Sequence, residues 1–240
     1  MSIITEQYPE DFNATMGKYR AKSIADFFKN TTIKSIADIG CGPGDIVEHL
    51  EKISDIIQKS EHITGIDADQ HYLNKMRDKF RDNPKFHFIT LNVESEPLPQ
   101  TTYDVILLID LLEHLNDPAA FLKNIQNHLN PCGHIVIIVP NAYSIHRLIG
   151  KEMGFIKDVH ELGPTDFKVG HKRYFDTDSL EKLISANGLK TILRSGILLK
   201  FQPNKQLENL PSEHCDALYR VGLQFPQQCG ELFFVCQAKN

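Results

Sequence analysis

The residues equipped for chemistry fall into two groups. The first is Gly40-Cys41-Gly42-Pro43-Gly44, three glycines at alternate positions, two residues after Asp38. Glycines so spaced let the backbone approach a ligand closely and turn free N–H groups towards it. A dinucleotide site would want G-x-G-x-x-G, with glycine where this chain has Asp45, so the spacing favours another ligand. The second group is a set of histidines. His114 follows Glu113 just beyond an apolar run, and His171 stands in Gly170-His171-Lys172-Arg173. An imidazole titrates near neutrality and can take a proton from a hydroxyl group. His114 and His171 are therefore the candidate catalytic bases. The competing reading of each is a residue that only caps a helix or sits at the surface. Tyr143, His146 and Arg173 form the candidate substrate-binding set, with Arg173 offering a cation to an anionic group.

These residues need a frame. Met16, Arg20, Ile24, Phe27 and Phe28 predict a first helix ending near Asn30. Ser35 to Ile39 reads as a buried strand, and Ile46, Val47, Leu50 and Ile53 predict a helix running from the glycines to about Lys59. His62 to Asp67 is a second strand, followed by a helix bearing Leu73, Met76 and Phe80 that Asn83-Pro84 stops. Phe86 to Leu91 is a third strand. Val105 to Ile109 is a fourth, apolar throughout, as for a strand covered on both faces. Glu113-His114 is expected to start the helix of Phe121, Leu122, Ile125 and Leu129. Asn130-Pro131-Cys132-Gly133 reads as a turn before a fifth strand, Ile135 to Val139. Strict alternation of strand and helix predicts a doubly wound parallel sheet with its ligand over the carboxyl ends of the strands. Residues 141–175 show no clean period. Asp178-Ser179-Leu180-Glu181 fits a capping box, with Gly188 as the helix stop. A sixth strand follows at Leu189 to Leu193, then a helix at Glu213 to Leu223 and a last strand at Leu232 to Ala238.

On these residues the chain resembles the class I S-adenosylmethionine-dependent methyltransferases, over nearly its whole length. A-D-I-G-C-G-P-G at 37–44 resembles that family's first motif, and G-I-D-A-D at 65–69 the acidic end of its second strand. L-L-E-H-L-N-D-P at 111–118, L-N-P-C-G-H at 129–134 and G-H-K-R-Y-F at 170–175 resemble later segments of the subgroup that modifies small molecules. The resemblance implies an α/β, Rossmann-like fold: a doubly wound, seven-stranded, mostly parallel sheet with an antiparallel last strand. It implies S-adenosyl-L-methionine as cofactor, held by Asp38, Gly40, Cys41, Gly42, Gly44, Asp67, Ala68, Asn92, Val93 and Ile109. In that scheme Asp67 takes the ribose hydroxyls. The Asn92 side-chain oxygen accepts from the adenine amino group, although aspartate is commoner there. The Ile109 carbonyl faces the methionine end. I-D-L-L-E at 109–113 lacks the Asn/Asp-Pro-Pro-Tyr run of base-modifying amino methyltransferases. The reaction expected is methyl transfer to an oxygen of a small-molecule acceptor. The alternatives are a small-molecule amine, or a protein or RNA.

Composition bounds the rest. The net charge is −5 and no basic stripe is present, which speaks against a large nucleic-acid surface. Five cysteines without C-x-x-C spacing point to free thiols and a cytoplasmic setting. No apolar run approaches the roughly 18 residues that span a bilayer. His160, Glu161 and His171 are conceivable metal ligands, but no helical His-x-x-x-His pair is present and no metal is expected. The chain is read as one methyltransferase domain, 1–240. Within it, 1–30 is an arm and helix, and 141–175 and 203–230 are insertions that cover substrate. The apolar residues of 203–230 also suit a homodimer contact.

Overall fold

The computed structural model describes residues 14–202, 204–207 and 209–239, so the expected N-terminal arm lies outside the described residues. The chain opens with α1 (Ala14–Phe28), β1 (Ser35–Ile39), α2 (Asp45–Ile53), the one-turn α3 (Ile56–Lys59), β2 (His62–Asp67), α4 (Gln70–Phe80) and β3 (Phe86–Thr90). It continues with β4 (Tyr103–Ile109), α5 (Pro118–Ile125), β5 (Leu129–Pro140), α6 (Ile145–Glu152), α7 (Pro164–Lys168) and α8 (Thr177–Ala186). It ends with β6 (Leu189–Ile197), α9 (Asn204–Leu207), α10 (Ser212–Gly222) and β7 (Glu231–Ala238).

The strands form one seven-stranded sheet in the order β3-β2-β1-β4-β5-β7-β6. Strands β1 to β5 pair in parallel, and β7 runs antiparallel to both β5 and β6. This is the expected sheet, last strand included. Alternate strand residues feed two cores. Ile36, Leu107 and Val136 pack with α1, α2 and α4 on one face. Ala37, Leu108 and Ile137 pack with α5 and α8 on the other. The strand order reverses between β1 and β4, and open sheets of this kind take their ligands outside the carboxyl ends of the strands at such a point.

Local chemistry moved several boundaries. The helix after the glycines stops at Ser54, whose hydroxyl donates to the Leu50 carbonyl at 2.8 Å and competes with the helical pattern. Asn130 to Gly133 is not a free turn but an irregular stretch inside β5. Leu129 still pairs with Tyr103, while Asn130 Nδ2 donates to Asp104 Oδ1. Glu113-His114 does not start α5: it lies in a turn, and the helix begins at Pro118 behind the cap Asp117, which accepts from the Ala120 N–H at 2.9 Å. The capping box of α8 sits at Asp176 and Ser179, two residues before the expected start. Residues 141–175 hold two short helices where no period was legible.

Candidate functional site

The glycine turn lies at the carboxyl end of β1. Gly40, Gly42 and Gly44 all take left-handed φ values, 74°, 51° and 80°. The N–H groups of Gly40 and Cys41 both donate to the Ile66 carbonyl, which anchors the turn on β2. Gly42 N–H donates to Asp67 Oδ2 at 2.8 Å, and Asp67 Oδ1 accepts from the Asp69 N–H. The two outer glycines face filled space: an added Cβ at Gly44 would lie 2.6 Å from Met76 Cγ. One at Gly42 would meet nothing within 4 Å, so the turn is open at that position.

Carboxylates crowd this turn. Asp38 is buried and its Oδ2 has no hydrogen-bond partner among the described residues. Burial, then the charges of Asp67 and Asp45, push its carboxyl up to about 7. Burial also raises Asp67, against its backbone donors. The turn's N–H groups are themselves engaged, by the Ile66 and Cys41 carbonyls and by Asp67, so what it offers is an orphaned buried carboxylate beside open space, which fits a ligand with a cationic amino group. Of the remaining cofactor candidates, Ala68 is exposed, Val93 packs against the second core and Ile109 is buried. Asn92 Oδ1 already accepts from the Glu94 N–H at 3.0 Å, which leaves one lone pair for a ligand. Burial raises the Cys41 thiol well above its usual range.

Arg20, Asp110 and Glu231 form an ion network in which Arg20 and Glu231 are buried and Asp110 is half-buried. Arg20 from α1 reaches Asp110 Oδ2 at 2.6 Å and grips both oxygens of Glu231 at the start of β7. Arg20 is legible in the sequence only as a polar residue in the apolar row of α1. Asp110 is held at φ 49°, a left-handed value uncommon for a non-glycine residue. α10 then backs α1: Tyr19 and Tyr219 stack at 5.1 Å, and Tyr19 OH donates to Asp216 at 2.7 Å.

Next to this network, the turn after β4 carries one candidate base and the segment before α8 the other. The segment 170–174 runs alongside the turn after β4, with Lys172 N–H donating to the Glu113 carbonyl at 2.9 Å. This brings the His114 and His171 rings to 4.8 Å, edge to face. Burial, then the neighbouring His171, depress His114 to about 4, so it is neutral at physiological pH. His171 Nδ1 lies 3.2 Å from Asp166 Oδ1, and Tyr174 OH donates to the same oxygen at 2.8 Å. Burial alone would raise Asp166, but hydrogen bonds from His171, Gly163 and Tyr174 outweigh it and hold it below the usual range. Glu113 is fully buried, neither of its oxygens has a partner among the described residues, and burial raises it strongly.

The substrate candidates are dispersed. Tyr143 is exposed and its ring meets His160 edge-on. His146 is half-buried, with Nδ1 unpartnered, and burial depresses it to about 3. Arg173 donates from Nη2 to the Asn116 carbonyl at 3.3 Å, while Nη1 is buried without a partner. His160 binds Asp176 and Asp158 rather than joining His171. Arg147 proves structural: it donates to the carbonyls of Val159 and Glu161 and lies over the Tyr174 ring. Glu113 and Asp166 were missed as site residues. Their signal in sequence is a charged residue amid apolar ones and an acid five residues before a histidine, both too common to single out.

Comparison with known proteins bears on this geometry. The sequence profile of a family described as a methyltransferase domain matches residues 12–193. The ubiquinone/menaquinone biosynthesis C-methyltransferase UbiE of Vibrio parahaemolyticus is 30% identical over 128 residues, 47% of this chain and 48% of that protein. The ubiquinone biosynthesis O-methyltransferase of Aeromonas salmonicida is 29% identical over 171 residues, 68% of this chain and 66% of that protein. The chain thus spans between about half and two thirds of the length of these relatives. Among solved structures, an S-adenosylmethionine-dependent methyltransferase from Mesorhizobium loti shares the fold, with a TM-score of 0.63 and 14% identity, over 90% of this chain and 97% of the other.

Proposed function

This chain belongs to the methyltransferase-domain family, and on that premise we propose that it methylates an oxygen of a small, hydroxylated aromatic acceptor. The methyl donor is S-adenosylmethionine, which when bound supplies an electrophilic methyl group whose transfer leaves S-adenosylhomocysteine. Gly40, Gly42 and Gly44 would cradle its methionine end. Asp38 would meet its amino group, directly or through water, and Asp67 and Asn92 would bind ribose and adenine.

The chain's own contribution is alignment and proton control. The reacting oxygen must sit about 3–3.5 Å from the methyl carbon, in line with the bond that breaks. As the new O–C bond forms, the hydroxyl proton must leave. The observation that carries the oxygen reading is the pair His114 and His171, packed together beyond the end of β4 and held there by Lys172 N–H and Asp166. A neutral amine attacks through its own lone pair and needs no such pair. The aromatic acceptor is suggested by relatives named for ubiquinone biosynthesis.

The test is a panel of catechols, phenols, amines and activated ring carbons, incubated with trideuteromethyl S-adenosylmethionine and resolved by mass spectrometry. Labelled aryl methyl ethers are expected. Label confined to nitrogen, carbon or protein would refute the oxygen reading.

A further inference from the structure

We propose that Glu113, His114 and His171 form the binding site of one divalent transition-metal ion that holds and activates the acceptor's oxygen. The ion's catalytic role rests on the oxygen reading above; its binding does not.

Among the described residues, one trio of His, Cys, Asp or Glu side chains brings its ligand atoms together, and it is this one, with all three atoms within 4.8 Å of one another. The trio joins two separate segments, the turn after β4 and the loop before α8, so local sequence spacing does not create it. Glu113 supplies the independent evidence. A fully buried carboxylate is costly unless paired, yet both of its oxygens lack a partner. The nearby guanidinium does not serve it, since Arg20 bonds Asp110 and Glu231 instead. A cation between Glu113 and the imidazoles is the partner this carboxylate lacks.

One imidazole is already held in place as a ligand. His171 is held through Nδ1 by Asp166, which fixes the ring and leaves Nε2 for an ion. A carboxylate behind a histidine is the usual outer support of a metal-bound imidazole. Two nitrogens and one oxygen suit Zn²⁺, Co²⁺, Fe²⁺ or Ni²⁺, not Ca²⁺ or Mg²⁺, which prefer oxygen throughout. Ligand bonds of about 2.0–2.2 Å require the three side chains to draw inward. Three protein ligands leave a position open for the acceptor's hydroxyl oxygen. Bound there, the hydroxyl loses its proton to solvent and keeps the electron pair that attacks. This assigns His114 and His171 as ligands that act on the acceptor through the ion.

The test is Co²⁺ titration of the full chain after dialysis against dipicolinate, followed by visible absorption and by calorimetry, with Zn²⁺ as competitor. One equivalent of Co²⁺ is expected, with d–d bands that Zn²⁺ abolishes. Glu113→Gln and His171→Ala should each weaken binding at least about 10-fold, and Asp166→Asn about 10–100-fold. Circular dichroism identifies variants that fold. If Glu113→Gln unfolds, His171→Ala and Asp166→Asn carry the test. No saturable binding, or equal affinity in the folded variants, would overturn the site. Methyl ethers formed equally well in dipicolinate would overturn the ion's catalytic role and leave the oxygen reading standing. Tight Co²⁺ binding with no aryl ether formed would refute the oxygen reading alone, since the absorbance needs neither donor nor acceptor.

Discussion

Asp38 shows how one residue links fold, donor and pH. Its carboxyl ordinarily titrates near 3.8 and is raised to about 7 in the fold. Between those values the folded protein holds a proton that the unfolded chain has lost, so Asp38 lowers stability as pH rises through that window. Denaturant titrations at about pH 5 and about pH 8 should show a smaller drop in an Asp38→Asn variant than in the parent. Affinity for S-adenosylhomocysteine, whose amino group favours the ionised carboxylate, should rise over the same window and flatten in the variant. An unchanged pH profile would remove Asp38 from the donor site. Asp38 and the glycines were legible because their neighbours in sequence define them: an acid inside an apolar run, and alternate glycines at its end. Glu113 and Asp166 were not, because their burial and partners come from segments distant along the chain.

At the scale of elements, the glycine turn and α1 make separable predictions. Gly42→Ala costs about 1–2 kcal/mol for the left-handed φ and collides with nothing in the protein. Its melting temperature should fall by only a few degrees while donor affinity falls sharply, because the new methyl group enters the open side of the turn. Gly44→Ala adds the contact with Met76 to the same strain and should destabilise more. Equal losses of stability in the two variants would contradict this division. Arg20→Met leaves Glu231 buried and Asp110 half-buried without this cation and should cost about 3–5 kcal/mol, read as a shift in denaturation midpoint. Strands were legible from their apolar runs, and helices from their period. The misplaced boundaries, at Ser54, Asn130–Gly133 and Asp176, are all places where a side chain of Ser, Asn or Asp bonds to the local backbone or a neighbour.

The whole molecule is one sheet between two cores, with the proposed donor residues at the ends of β1, β2 and β3 and Glu113, His114 and His171 on the turn after β4 and the loop before α8. The donor side was readable because it follows the order of the strands. The proposed acceptor side was not, because 141–175 folds back onto the turn after β4 through contacts such as Lys172 to Glu113 and Arg173 to Asn116, which no period announces. Among the described residues no helix is long and apolar enough to cross a membrane. The central claim joins the two sides: the donor binds at the glycine turn, and the acceptor oxygen is activated at the histidine pair. It is tested most directly by trideuteromethyl transfer to a catechol, measured beside calorimetric binding of S-adenosylhomocysteine, in the parent and in a His114→Ala/His171→Ala double variant. The account predicts labelled aryl ether from the parent, and from the double variant a loss of at least about 100-fold in rate with donor binding unchanged. Full activity in the double variant would contradict it.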